Sequence, residues 1–329
     1  MTTSAALPVV APIEPLHSPS DMAWIPGGMF SIGSNDHYPE EAPQHRVRVD
    51  GFWMDLHPVT NEHFRQFVDA TGHVTFAEIA PRAEDYPGAR PEMMHPGSIV
   101  FMQPRHRVDL RVCTWWNFVL GADWRHPYGP RSSIDKLDRH PVVHVAYSDV
   151  EAYARWAGKE LPTEAEWEFA ARSGLDRAEF AWGDQLCPDG RHLANTWQGE
   201  FPWQNLREDG YERTSPVDAF PPNAYGLFDM IGNVWEWTTD WFEKGHGNSA
   251  KSACCVPLNP RGGREEASFD PSQPQIKIPR KVLKGGSHLC APNYCRRYRP
   301  AARFPHPVDT STSHVGFRCI VRARAQGAP

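Results

Sequence analysis

Two thiols set close together carry the most reactive chemistry in this chain. Cys290 and Cys295 lie in Leu283-Lys-Gly-Gly-Ser-His-Leu-Cys-Ala-Pro-Asn-Tyr-Cys-Arg-Arg-Tyr-Arg299, with four residues between them, Pro292 included. At that spacing they can face each other across a turn. Three uses fit such a pair: ordinary buried cysteines, a redox disulfide, or a clamp for one soft ion. Thiolates select soft ions such as Cu(I), which accepts two ligands, whereas structural zinc takes four, so copper suits two cysteines better than zinc does. His288 could supply a third ligand. Arg296, Arg297, Arg299 and Arg303 would favour thiolate over thiol, although a basic cluster equally makes a solvated or carboxylate-pairing face.

Other constellations are weaker. Asn195 and Asp209 offer hard oxygen donors of the kind Ca2+ takes, and residues of these types also simply make turns. His140 and His144 share a face but have no following carboxylate to complete an iron motif, and they read as structural. Cys254-Cys255 receives no role. The tryptophans around Trp115 and Trp235 read as packing rather than as a cofactor box.

The elements that must position these groups belong to a chain of 329 residues, 40% hydrophobic and 22% charged, enough to bury a core. With 25 glycines and 32 prolines, much of the backbone must be turn. The net charge of −6 gives no general attraction to nucleic acid or to an anionic membrane. No stretch approaches the ~20 apolar residues of a membrane span. Seven cysteines at irregular spacings suggest free, metal-bound or catalytic thiols rather than a disulfide scaffold. Residues 1–22, without the charged start and apolar core of a signal peptide, read as a flexible tail, as do residues 323–329. The expectation is a cytoplasmic monomer that acts on a peptide or small molecule.

Short strands are expected from Trp24 and through 45–54, where apolar and polar residues alternate around glycine breaks. Thr60 as N-cap, Phe64, Phe67 and Val68 at helical spacing and Gly72 as stop predict a first helix. Two capping boxes, Ser148-x-x-Glu151 and Thr163-x-x-Glu166, open two more helices closed by Gly158 and Gly174. His140 to Val145 reads as a strand. Residues 75–138 show neither period and read as a long ordered loop, 244–280 as a flexible surface insertion, and 281–322 as short strands around a basic, aromatic loop. The class is an irregular, loop-rich α+β single domain.

Gly285-Gly-Ser-His-Leu-Cys-x4-Cys-x-Arg-Tyr-Arg-x-Ala-Ala-Arg303 closely resembles the active-site stretch of formylglycine-generating enzymes. Further blocks agree in order: Ile25-Pro-Gly-Gly-x-Phe30, Pro58-Val-Thr-Asn61, Trp124-Arg-His-Pro127, His140-Pro-Val142, Leu161-Pro-Thr-Glu-Ala-Glu-Trp-Glu168, Asn195-x-Trp-Gln-Gly199, Gly232-Asn-x-Trp-Glu-Trp237 and Gly316-Phe-Arg318. Most of these blocks are common to the wider sulfatase-modifying-factor superfamily. They speak to fold, and the two cysteines speak to activity.

The resemblance implies one domain over 23–322, related to C-type lectins, in which Cys290 and Cys295 bind Cu(I) as a linear bis-thiolate beside an active-site serine, Ser287. It implies as substrate an unfolded or nascent sulfatase polypeptide with a Cys-x-Pro-x-Arg motif. That cysteine joins the copper and, with O2 and a thiol reductant, becomes formylglycine. It also implies two structural Ca2+ sites. One uses Asn195 and Asp209 with the carbonyls of Thr196 and Tyr211, and the other Asp229 and Glu236 with the carbonyls of Gly232 and Val234. Ala154, Ala171 and Pro300 stand where secretory animal members carry disulfide cysteines, leaving Cys319 without a partner. Asp229 and His314 replace commonly found asparagines. Two other readings use the same fold: a non-enzymatic lectin-like binding module, and an iron-dependent sulfoxide synthase, whose N-terminal helical bundle is not expected here because only about 22 residues precede the fold.

Overall fold

The computed structural model describes residues 21–323 apart from 87, 89 and 247–255. The expected tails, except for a residue or two next to the fold, and Cys254-Cys255 lie outside those residues. Strand β1 (Met22–Ile25) runs antiparallel to β4 (Phe52–Asp55), and β11 (Ile320–Arg322) pairs with the other edge of β4. The two ends of the domain therefore share one sheet, and Met22, placed at the end of the expected tail, belongs to it. Strands β2 (Gly28–Ile32) and β3 (His45–Val49) form a hairpin. The largest sheet has the order β10 (Val315–Gly316), β7 (Trp235–Trp241), β8 (Arg280–Lys284), β9 (Arg303–Pro307), with β7 and β10 parallel and the other pairs antiparallel.

Helix α1 (Asn61–Thr71) starts and stops where its sequence signals place it: the Thr60 hydroxyl accepts from the His63 N–H, and Gly72 ends it in the left-handed region at φ 68°. Helix α3 (Glu164–Arg172) has the expected reciprocal cap, with Glu166 N–H to the Thr163 hydroxyl at 3.1 Å and Thr163 N–H to the Glu166 carboxylate at 2.7 Å. Its left-handed stop falls on Ser173, one residue before Gly174. Helix α2 (Tyr147–Trp156) departs from expectation. Asp149, not Glu151, reaches back, accepting from the Ala146 N–H at 2.9 Å, so the helix begins ahead of Ser148. The segment His140 to Val145 is no strand; it makes one isolated bridge, Thr60 to Pro141.

The stretch 75–138 is not structureless. It contains a fourth small sheet, β5 (Gly97–Phe101) with β6 (Trp116–Leu120), hidden from sequence because fourteen intervening residues break the hairpin signal. Among the described residues of the expected insertion, a 3-10 turn spans Glu265–Ala267, and Arg48 N–H donates to the Pro257 carbonyl at 2.8 Å. The main core gathers Phe64, Trp124, Trp167 and Trp237 between the helices and the large sheet. A separate aromatic cluster of Trp115, Trp197, Phe201, Leu289 and Ala291 lies behind the cysteine loop.

Candidate functional site at the Cys290 and Cys295 thiols

Strand β8 delivers the loop. It ends at Lys284, whose buried ammonium donates to Glu168 at 2.9 Å. Gly285 and Gly286, at φ 93° and 73°, then turn the chain, and a Cβ on Gly286 would stand 2.8 Å from the Arg297 carbonyl oxygen. Only glycine lets the stem of the loop lie this close to the segment that follows Cys295. Beyond it, Cys290 N–H donates to the Ser287 carbonyl and Cys295 N–H to the Ala291 carbonyl, each at 2.9 Å, so two successive turns bring the second thiol back to the first. The sulfurs stand 3.4 Å apart, and all five described cysteines are free. Leu289 and Ala291 anchor the loop in the aromatic cluster, and Trp197 N–H holds the Cys290 carbonyl at 3.1 Å.

The two thiols are unequal. Cys290 is 2% exposed, and burial followed by its sulfur neighbour pushes its thiol well above the ordinary range, despite the Ser287 N–H at 3.4 Å. Cys295 is held down to about 7, first by the hydrogen bond from Cys290 and then, against its own burial, by Arg297, whose guanidinium reaches the sulfur at 3.7 Å. Of the four nearby arginines, Arg297 alone plays the part expected of the cluster. Arg296 pairs with Glu179, Arg299 with Glu41 and Arg303 with Glu164. His288 is turned away from the sulfurs, its Nδ1 donating to the Asn233 carbonyl at 2.7 Å. In the metal-free protein, iodoacetamide should therefore modify Cys295 before Cys290, with a midpoint near pH 7 that Arg297→Ala moves upward. Equal rates at both thiols would contradict this.

Both cysteines and Ser287 open into a cavity of about 420 Å³. Its walls are aromatic: Trp116, Phe201, Tyr294 and Phe304, with Phe201 stacked on Tyr294 at 4.4 Å. Neutral polar groups face it from the segment before β10, where His314 Nδ1 and the Thr312 hydroxyl lie 2.7 Å apart and the His314 ring packs on Trp116. Among the described residues no Asp or Glu lines this cavity, and Arg297, paired with Glu40, brings a guanidinium to it. Most of the lining comes from the cysteine loop and the segment 304–314, to which Ile99 of β5, Trp116 of β6, Phe201 and Trp235 add apolar surface. Two neighbouring soft donors, with no carboxylate beside them among the described lining residues, are of the chemical type that suits a soft ion. His140 and His144 are structural as expected: His144 is buried between the Ser98 hydroxyl at 2.7 Å and the Pro127 carbonyl at 2.9 Å.

The oxygen donors expected to form two Ca2+ sites are hydrogen-bonded as follows. Asp209 accepts from the N–H groups of Thr196 at 3.1 Å and Tyr211 at 2.9 Å and from the Gln198 amide at 2.8 Å, all neutral donors, and Asn195 donates to the Arg213 carbonyl alongside. The next residues, Asp229 to Glu236, are less uniform. Asp229 Oδ2 accepts from Asn233 at 2.8 Å, while Oδ1 is buried with no hydrogen-bond partner among the described residues. Glu236 is already engaged on both oxygens by Arg318, at 2.8 Å to each, and by Trp167 at 2.7 Å. Gly232, at φ 80°, crosses against the Asn195 backbone and joins the two clusters.

Comparison with known proteins gives a consistent result. Residues 9–323 match the family model of the sulfatase-modifying factor enzyme 1-like domain. The chain is 52% identical over 303 residues to the formylglycine-generating enzyme of Mycobacterium tuberculosis, covering 92% of this chain and 97% of the other. It is also 41% identical to the Bos taurus protein named inactive C-alpha-formylglycine-generating enzyme 2, covering 91% and 87%. PvdO from Pseudomonas aeruginosa has a similar fold, with a TM-score of 0.59 at 24% identity over 92% of this chain and 94% of that one.

Proposed function

Because the chain belongs to the sulfatase-modifying factor enzyme 1-like domain family, we propose that it is a formylglycine-generating oxidase. It converts the cysteine of a Cys-x-Pro-x-Arg segment in a sulfatase polypeptide into formylglycine, with Cys290 and Cys295 holding Cu(I) and O2 as oxidant. The observation that carries this reading is the facing thiol pair opening onto a cavity wide enough for a polypeptide side chain. Identity alone would not decide, since a relative named inactive is 41% identical.

Copper, when bound, supplies the transfer of electrons to O2. The residues of the chain do the rest. Cys290 and Cys295 provide the soft ligands, and Arg297 holds the charge of the second thiolate. The aromatic walls exclude water and pack the substrate chain, and the turn begun by Gly285 and Gly286 keeps both sulfurs at one point. In the overall reaction the substrate CH2–SH becomes CHO. Sulfur leaves as sulfide, water supplies the aldehyde oxygen, and two electrons leave the carbon. O2 takes four electrons to become water, so a thiol reductant supplies the other two. The test is aldehyde trapping on such a peptide with copper and reductant: product in air and none under argon or without copper supports the reading. Copper-independent or oxygen-independent product, or none at all, overturns it. Five free thiols among the described residues accord with a reducing cytoplasm.

Ca2+ is placed in the same proposal at Asn195, Thr196, Asp209 and Tyr211, and at Asp229, Gly232 and Val234 with Glu236 shared with Arg318. Burial raises the Asp229 carboxyl from 3.8 to about 7. A raised folded-state value means that this group's contribution is most favourable at low pH and is lost as pH rises through about 4 to 7, by a few kcal/mol. In chelator, Tm should fall across that window, Asp229→Asn should flatten the fall, and added Ca2+ should restore the wild type at neutral pH. An unchanged slope in the variant would contradict the assignment.

A further inference from the structure

Away from the thiol cavity, a second sulfur donor faces a ring nitrogen. Cys187 stands directly before a 3-10 turn, Pro188–Gly190, in which Asp189 takes the left-handed region at φ 53°. The Gly190 N–H donates to the Cys187 carbonyl at 3.1 Å, and the Arg191 N–H to the Pro188 carbonyl at 3.0 Å. These two turns fold the chain back, and His192 Nδ1 comes to 3.6 Å from the Cys187 sulfur, which is in no disulfide. On the far side of the ring, Glu208 places a carboxylate oxygen 3.7 Å from Nε2. That carboxylate draws the imidazole proton onto Nε2 and leaves the Nδ1 lone pair directed at the sulfur. None of the three residues lines the thiol cavity.

The geometry points to a Zn2+ site in which Cys187 and His192 are the protein ligands and Glu208 orients the imidazole. Zinc takes thiolate and imidazole together. Bonds of about 2.3 Å to sulfur and about 2.0–2.1 Å to nitrogen, meeting at the tetrahedral angle, set the two donors roughly 3.6 Å apart. The observed separation is 3.6 Å, so one ion bridges the pair without moving the turn. A carboxylate behind a ligating imidazole fixes its tautomer and raises its basicity, the place Glu208 occupies. Calcium and magnesium, which take oxygen donors, do not suit a thiol and an imidazole. Among the described residues no third metal-ligating side chain joins the pair, and water completes the coordination. The bound ion holds Cys187 as a thiolate and withdraws it from alkylation and oxidation. This site is independent of the oxidase reading.

The test reads one thiol by mass. The full chain is pulsed with iodoacetamide at rising Zn2+, and alkylation of Cys187 is followed in its own proteolytic peptide, so the other thiols do not interfere. Ca2+ is kept in excess, so that zinc does not report on the oxygen donors of Asn195 and Asp209. Saturating Zn2+ should slow alkylation of Cys187 in the wild-type protein by about tenfold or more, while Mg2+ should leave it unchanged. His192→Ala should abolish the protection. Glu208→Gln, at a side chain 58% exposed and therefore harmless to folding, should raise the zinc concentration for half-protection by about tenfold to a hundredfold. No protection in the wild type, or equal protection in His192→Ala, overturns the site and leaves a plain thiol–imidazole hydrogen bond. A half-protection point unmoved by Glu208→Gln overturns the orienting role of that carboxylate.

Discussion

Replacing either Cys290 or Cys295 by serine should lower formylglycine formation by on the order of a thousandfold or more while leaving the fold intact. Neither sulfur has a partner that could replace it: the pair stands 3.4 Å apart, and His288 is turned to the Asn233 carbonyl. A hydroxyl is a hard donor that does not hold Cu(I), so one exchange leaves a single soft ligand. Serine is close to cysteine in shape, and at Cys290 the Ser287 N–H is in place to donate to its oxygen. Stability should therefore change by about 1 kcal/mol or less, which separates loss of chemistry from loss of fold. Copper binding, read by competition with a Cu(I) chelator, should fall in parallel with activity in both variants. Retention of tight copper binding by both would contradict the two-thiolate site.

Arg299→Ala should unfold the protein at markedly lower temperature. The Arg299 guanidinium and the Glu41 carboxylate form a bidentate pair, at 2.8 and 2.5 Å, with the arginine 1% and the glutamate 0% exposed. Arg299 also donates from Nε to the Arg296 carbonyl at 2.9 Å, so the pair ties the segment after Cys295 to the chain before β3. Removing one partner strands a buried charge, at a cost of about 3–5 kcal/mol. In a domain of this size that is roughly a 10 °C fall in Tm. Arg299→Met with Glu41→Leu should recover most of it, since no charge is then orphaned. A single variant within about 1 kcal/mol of wild type would contradict the coupling.

The parts of this molecule legible in its sequence are those fixed by local rules. Thr60 and Gly72 bound α1 because capping and left-handed stops are short-range effects. That Cys290 and Cys295 can face each other across a turn was legible for the same reason. What was not legible depends on distant partners. The β5–β6 pairing joins residues separated by a long connection. Three of four arginines turn out to be structural, because their carboxylates at positions 41, 164 and 179 lie more than a hundred residues away. Likewise, the engagement of Glu236 by Arg318 could not be read from the Gly-Asn-x-Trp-Glu-Trp block.

The most direct test of the account is mass spectrometry of a Cys-x-Pro-x-Arg peptide incubated in air with reductant and the Cu(I)-loaded protein, beside its Cys290→Ser and Cys295→Ser variants. The account predicts exchange of the thiol sulfur and two hydrogens for one oxygen at the cysteine with wild type, and an unmodified peptide with both variants. An unmodified peptide with wild type, together with no copper uptake, would contradict it and leave a binding module on the same fold as the better description.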